Sequence, residues 1–185
     1  MEKKLTKSAY VILGLLSKHE HSGYELKKIM GKIARFYWSE SNAQIYPILK
    51  KLDQADCVTS ELDKSSGARK RQVYSLTEKG HSELMQWLLT PCEPSMYREE
   101  LLLKMSVGQN LTDAQLCEQL KHYQAQLDEQ LEHYEIIQTH ILEDHAGKAD
   151  QPYLFITYGH VKLVLNAKMK WCKQTLKMLE TKGIK

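Results

Sequence analysis

Apolar residues recur at intervals of three and four in three stretches before residue 56, and this periodicity predicts three amphipathic helices. Thr6 and Ser22 precede the first and second stretches as N-terminal caps, and Glu25 follows Ser22 at the spacing of a capping box. The third stretch shows the clearest pattern, with apolar positions at Ile45, Ile48, Leu49 and Leu52. We therefore expect this third helix to bury one side and to expose a polar side.

The period changes to alternation after Asp56. Residues 57–62 and 69–76 predict two strands, joined by a polar loop that contains Gly67. Thr77 then caps a predicted fourth helix. The apolar stripe of that helix is Leu84, Met85, Leu88 and Leu89.

Prolines at positions 91 and 94 mark a boundary near residue 90, because proline lacks an amide proton and restricts the residue before it. Beyond it we expect a short helix from residue 95 to about 107, a long helix from Thr112 to about 144, a turn at 147–152 and a second long helix. Helices of this length favour a coiled-coil arm. The stripe residues assigned to a dimer interface are Leu116, Leu120, Leu127, Leu131, Val161, Leu165 and Leu176.

Three helices followed by a basic hairpin have the order of a winged helix-turn-helix, in which one helix enters the major groove and the hairpin lies over phosphates. The predicted fold is therefore mainly α. Residues 1–90 are expected to form a DNA-binding domain with a two-stranded wing, and residues 91–185 a long-helix dimerisation domain. The expected partner is double-stranded DNA.

The candidate DNA-binding side chains come from the third helix and the hairpin. Asn and Gln pair with adenine, Ser and Tyr donate to phosphate, and Lys and Arg neutralise it. The candidates are Ser41, Asn42, Gln44, Tyr46, Lys50, Lys51, Lys64, Arg69, Lys70 and Arg71. An ordinary solvated surface explains the third helix taken alone, but the ordered combination with the hairpin favours DNA.

Pro47 leaves the start of the third helix open. If Ser41 or Asn42 is the cap, Pro47 lies just past the first turn, where proline is costly. If the helix begins near Gln44 the conflict disappears, but the first base-reading candidates then belong to the preceding loop.

Composition, charge and the absence of certain motifs limit the classes of protein to which this sequence can belong. The net charge is only +3, but residues 1–90 hold 15 Lys+Arg and 10 Asp+Glu, against 11 and 13 in residues 91–185. The chain contains no apolar run long enough to span a membrane and no secretory signal is expected. Four scattered cysteines suit reduced thiols in the cytoplasm. Because HExxH, GxSxG and Gly-rich phosphate motifs are absent from the sequence, neither an enzyme nor a metal or cofactor site is expected.

A dimer is expected because one helix in one major groove reads only a few base pairs, which is too few for specific recognition of a DNA site. The apolar stripes of the two long helices could pack on each other within one chain. Because these helices are long compared with the small N-terminal domain, burial of the stripes between two chains is favoured. A protein-interaction adaptor that does not bind DNA stays open as the alternative function.

Three motifs carry a family resemblance. Residues 44–52 (QIYPILKKL) resemble the core motif of PadR-type transcriptional regulators, residues 71–80 (RQVYSLTEKG) the family's second wing strand and next helix, and residues 22–26 (SGYEL) its second-helix opening. The long helical region and residues 36–38 (FYW) resemble the AphA-like branch. Asp56 stands where the family usually has Gly, and Asp also tolerates the left-handed conformation that ends a helix.

The resemblance implies a homodimer, joined through C-terminal helices, that binds an inverted repeat in promoter DNA. Because some members respond to phenolic or other planar ligands, a small aromatic effector is a further expectation. The sequence has 10 Tyr and 3 Trp. The candidate ligand-binding residues are Trp38, Trp87, Tyr97, Tyr123, Tyr158 and Trp171.

Overall fold

The computed structural model describes residues 5–33, 44–63, 71–94 and 98–182. It divides into two compact units, Met1–Pro94 and Ser95–Lys185. None of the helices in the described ranges is both long and apolar enough to cross a membrane.

The first unit contains four helices and a small antiparallel sheet. Its elements are α1 (Lys7–Leu16), β1 (His21–Ser22), α2 (Gly23–Ile33), α3 (Ile45–Gln54), β2 (Val58–Asp63), β3 (Arg71–Leu76) and α4 (Glu78–Leu89). The strand order is β1-β3-β2. Strands β2 and β3 form the predicted wing, and β1 adds a third strand that the sequence did not predict. Its two residues are too few to show an alternating pattern.

Side-chain caps begin the helices at the predicted places. The Thr6 hydroxyl accepts a hydrogen bond from the amide of Ala9 at 3.3 Å, and the Thr77 hydroxyl accepts one from Gly80 at 3.0 Å. Such caps satisfy amides that have no partner within the helix, and each stabilises a helix by about 1 kcal/mol.

The core of this unit lies between the helices and the sheet. Its fully buried aliphatic side chains are Ile12, Leu13, Leu26, Leu49, Leu52 and Val58. The rings of Tyr10 on α1 and Trp87 on α4 stack 4.8 Å apart at 4°. Helix α3 packs against α1, α2 and β2, so its apolar side is covered by three different elements.

The predicted stripe of α4 is wrong for three of its four members. Leu84 is buried, whereas Met85, Leu88 and Leu89 are exposed. The side of α4 that faces the core instead carries Gly80, Leu84 and Trp87, at steps of four and three. Periodicity alone did not distinguish this side from its apolar neighbour, because both satisfy helical spacing.

The second unit is helical. Its elements are α5 (Glu100–Ser106), a 3₁₀ turn (Gly108–Asn110), α6 (Asp113–Asp144) and α7 (Gln151–Lys182). Helix α6 begins with a reciprocal capping box between Thr112 and Gln115. Helix α5 starts later than predicted, since Glu99 has extended backbone angles. Pro152 lies in the first turn of α7, where a missing amide costs no hydrogen bond.

The long stripes meet each other, which is the arrangement that the sequence analysis left open beside burial between chains. Helices α6 and α7 pack on each other within one chain. Leu131 is half-buried there, and the remaining stripe residues, which are buried, are Leu116, Leu120, Leu127, Val161, Leu165 and Leu176. A short turn lets two 32-residue helices fold back antiparallel, so each supplies the apolar partner that the other needs. The buried Tyr134 hydroxyl donates to the backbone carbonyl of Tyr158 across this seam.

Gly80 provides a test of how tightly α4 packs on the sheet. A Cβ atom at this position would lie 2.0 Å from the carbonyl oxygen of Cys57 and 2.8 Å from Leu76 Cδ1. We expect Gly80→Ala to lower the free energy of unfolding by at least about 2 kcal/mol, because backbone must move to admit the methyl group. Urea denaturation followed by circular dichroism measures this loss.

The matched control is Gly14→Ala within α1, where a Cβ would meet no described atom within 4 Å. This substitution should raise stability by about 0.5–1 kcal/mol through helix propensity. Equal effects of the two substitutions would contradict the close contact at Gly80.

Candidate nucleic-acid interface

The start of α3 settles the position of Pro47. The helix begins at Ile45, Gln44 occupies the N-cap position, and the amide of Ile48 makes a helical hydrogen bond to the carbonyl of Gln44 at 3.0 Å. Pro47 is thus the third helical residue, and its missing amide proton is one that would have no partner within the helix. Ser41 and Asn42 precede the helix and lie outside the described residues.

Helix α3 has two chemically distinct sides. The apolar side is buried at Ile45, Ile48, Leu49 and Leu52. The candidate residues on the other side, which are exposed, are Gln44, Tyr46, Lys50 and Lys51. One face of the helix therefore carries an amide, a phenol and two ammonium groups toward solvent, while its apolar face is fixed in the core.

Gly23 and Tyr46 meet where α2 begins. A Cβ atom on Gly23 would lie 2.6 Å from Tyr46 Cε1, so the missing side chain lets the tyrosine ring lie against the start of α2. The adjacent Tyr24 is 69% exposed. Its exposed hydroxyl is a candidate phosphate donor that sequence reasoning missed, because tyrosine counts as apolar in a periodicity analysis.

The end of α3 is tied to the start of α4. Asp56 has a φ of 55°, in the left-handed region, and the next amide, of Cys57, reaches back to the carbonyl of Leu52 at 2.9 Å. The Thr77 hydroxyl donates to the Asp56 carbonyl at 2.7 Å. Aspartate therefore fills the helix-ending position as expected.

The wing brings one described cation to the surface. Arg71 pairs with Asp63 in the β2–β3 register and is exposed at the start of β3. The other predicted cations of the hairpin, Lys64, Arg69 and Lys70, lie outside the described residues.

Arg71 forms an ion pair that the sequence did not predict. Its Nη1 lies 3.3 Å from Glu25 Oε1, while Glu25 Oε2 accepts hydrogen bonds from the Ser22 amide and hydroxyl, both at 2.8 Å. These bonds from Ser22, followed by the charge of Arg71, hold the pKa of Glu25 below its ordinary value. Glu25 therefore both caps α2 and contacts the wing.

The aromatic residues predicted to bind an effector are divided between the two units. Trp87 stacks on Tyr10 in the first unit. In the second unit Tyr158 is buried and Trp171 is half-buried. Trp38 and Tyr97 lie outside the described residues. Ligand binding by this set stays a prediction.

Tyr123, the remaining aromatic candidate, belongs to a polar cluster in the second unit. Its hydroxyl donates to Glu99 Oε1 at 2.7 Å, and Lys168 Nζ lies 2.5 Å from Glu99 Oε2. Burial alone raises the pKa of Glu99, but the hydrogen bonds from Lys168 and Tyr123 outweigh it and hold that pKa below its ordinary value. The cluster joins the residue before α5 to both long helices.

Known proteins resemble both units. The family model of PadR-like transcriptional regulators matches residues 12–86, and that of the C-terminal region of virulence activator alpha matches residues 97–180. The negative transcriptional regulator PadR of Bacillus subtilis is 35% identical over 96 residues, which are 51% of this chain and 53% of PadR. The chain spans about half the length of the curated relatives it matches.

Solved structures share the fold over nearly the whole chain. PadR of Bacillus subtilis in complex with operator DNA gives a TM-score of 0.83 at 23% identity, covering 94% of this chain and 99% of that one. The same protein with p-coumaric acid gives 0.75 at 24% identity, covering 93% and 98%. The Vibrio cholerae virulence activator AphA gives 0.73 at 24% identity, covering 93% and 97%. At these identities the structural likeness concerns the fold alone.

The family matches account for the residues that the sequence motifs singled out. The PadR-like match includes α3 and the wing, and the second match includes both long helices. The chain contains a domain of the PadR-like family of transcriptional regulators at residues 12–86, followed at residues 97–180 by a region like the C-terminal part of virulence activator alpha.

Proposed function

We propose that this protein is a sequence-specific DNA-binding transcriptional regulator, which acts as a homodimer on an inverted-repeat promoter site. In this proposal α3 enters the major groove and the wing lies over the phosphate backbone. The proposed domains are a DNA-binding domain at residues 1–90 and a helical dimerisation domain at 91–185. The role is not enzymatic, and its place is the cytoplasm, together with the DNA.

The two-sided burial of α3 carries this proposal. Gln44 can form paired hydrogen bonds with adenine, and Lys50 and Lys51 can neutralise phosphates. All three are exposed, while Leu49 and Leu52 on the opposite side have no exposed surface. A helix held in this way offers its polar side at no cost to the core. The operator complex of the Bacillus subtilis relative supports the same use of the fold.

Selection of random double-stranded DNA by the purified full chain tests the function directly. The proposal expects one enriched half-site, present twice in inverted orientation at a fixed spacing, because a two-fold dimer imposes its symmetry on the site. Failure to enrich any sequence, at low salt and in the presence of competitor DNA, would leave the function as a DNA regulator without support.

We expect some polar side chains of α3, and of the residues just before it, to contact phosphates and others to contact base edges. The double variant Lys50→Ala, Lys51→Ala should weaken binding to every sequence, and each lost phosphate contact should flatten the salt dependence of log K by about 0.9. Gln44→Ala or Asn42→Ala should instead change the preference between sites, at about 1–3 kcal/mol for the base concerned. Equilibrium binding to the selected site and to single-base variants of it, over a salt series, measures both effects.

The matched control for these variants is Gln54, which offers an exposed amide at the other end of α3. Gln54→Ala should leave both the preference between sites and the salt dependence unchanged. An equal loss on all sequences for the lysine, glutamine and asparagine variants would contradict the division of roles.

We assign the contact between the two chains to the outer side of the long helices, since the stripe between α6 and α7 is already covered. Large apolar side chains stay exposed there, and on α7 these are Tyr153, Phe155, Ile156, Leu163 and Met178. Ile156 and Leu163 are seven residues apart and thus share one side of the helix. A second copy of the chain would remove this apolar surface from water.

Leu163→Glu tests that assignment, because Leu163 is 73% exposed and the substitution should not disturb the fold of one chain. The wild type should have twice the mass of the 21.5 kDa chain, and the variant should be a monomer at micromolar concentration, since an uncompensated charge would be buried in the interface. Light scattering after gel filtration measures the mass. Leu62→Glu, an equally drastic change at an exposed position of β2, should stay dimeric; a monomeric wild type would contradict the homodimer.

We further propose that a small aromatic compound modulates DNA binding. The complex of the Bacillus subtilis relative with p-coumaric acid supports this class of ligand. Titration of the purified protein with p-coumaric acid and related phenolic acids, followed by tryptophan fluorescence, should give a saturable change and a parallel loss or gain of operator affinity. Saturation without any effect on operator affinity would speak against modulation.

A further inference from the structure

We infer that Glu25 and Arg71 form a strut between the start of α2 and the wing, and that Arg71 supports DNA binding as a positioning residue instead of as a phosphate contact. This inference rests on the proposed function, and it reassigns one of the cations that the sequence predicted to meet DNA.

The strut lies beyond the backbone pairs that attach β3 to β1. Those pairs hold Tyr74 opposite His21 and Val73 opposite Ser22. The Ser75 hydroxyl donates to Glu20 Oε1 at 2.6 Å, at the inner end of the strand. Arg71 lies two residues beyond the last of these pairs, toward the loop of the hairpin. The ion pair with Glu25 therefore extends the attachment of β3 to the α2 side of the fold.

The carboxylate of Glu25 is held in place before it meets Arg71. Two hydrogen bonds from Ser22, a residue that is 4% exposed, fix Oε2 in the capping box and leave Oε1 directed at the guanidinium. An exposed ion pair between two flexible side chains is worth little, because ordering both of them costs entropy. Here one partner is already ordered by its role as a cap, so that cost is reduced.

Electrostatics favours a strut over a phosphate contact. A guanidinium 3.3 Å from a carboxylate carries little net positive charge toward a third group. If Arg71 moved to a phosphate, the negative charge of the Glu25 carboxylate would be left uncompensated near the DNA polyanion. The wing would also lose its ion pair with the start of α2. Retaining the pair keeps the wing in position and leaves phosphate neutralisation to other cations.

A charge-removing double-mutant cycle tests the strut. Glu25→Gln keeps an oxygen that can accept the capping bonds from Ser22 but removes the charge, and Arg71→Gln removes the other charge. Affinity of the full-length dimer for its selected operator is measured over a salt series for the wild type, both single variants and the double variant. Glu61→Gln, on the neighbouring strand β2, removes the same charge from the wing and is the matched control.

We expect each single variant to lose about tenfold in operator affinity, and the double variant to lose clearly less than the product of the two single losses, because both changes break the same contact. The salt dependence should equal that of the wild type in all three. Glu61→Gln should bind at least as tightly as the wild type, since a negative charge is removed from a DNA-facing element.

The opposite pattern would overturn the strut. If Arg71 contacts phosphate, Arg71→Gln flattens the salt dependence by about 0.9, and Glu25→Gln binds more tightly because it frees a cation. Additive losses in the cycle would overturn it as well, with the proposed function intact. If the Glu25 variant does not fold, the salt dependence of Arg71→Gln alone distinguishes the two roles: an unchanged slope supports the strut, and a flattened slope supports a phosphate contact. A wild type that selects no DNA sequence would end both the strut and the proposed function.

Discussion

The burial of four aliphatic residues on one side of α3 is the constraint on which the rest of the first unit depends. Leu49 and Leu52 have no exposed surface, and Ile45 and Ile48 are nearly covered. Because a helix can turn only one side toward the core, this burial determines which side faces outward. The orientation of every polar side chain on α3 is therefore a consequence of hydrophobic packing.

Short-range signals in the sequence predicted much of this fold. Thr6, Thr77 and Thr112 each begin a helix as expected, because a capping hydroxyl acts within three residues of itself. The change from helical to alternating period located the wing, because alternation along a strand is also a pattern between near neighbours in the sequence. Asp56 at the end of α3 adopts the left-handed conformation that its position required.

Other features depend on contacts between distant residues and could not be read from local patterns. Glu25 and Arg71 are 46 positions apart, so their ion pair follows only from the folded sheet. The exposure of Leu88 and Leu89 reflects which side of α4 meets α1, and both sides have helical spacing. The burial of the long stripes within one chain depends on the short turn after Asp144, which allows a return that length alone did not indicate.

The hydrogen bond from Tyr134 to the backbone of Tyr158 has a consequence for how the helical hairpin can vary. It is a polar contact within a largely apolar seam, and a buried hydroxyl without an acceptor costs about 1–3 kcal/mol. Because the acceptor belongs to the main chain, it survives any substitution at position 158 that keeps the helix, whereas the donor exists only while residue 134 carries a hydroxyl group. The two ends of this contact can therefore vary to very different extents.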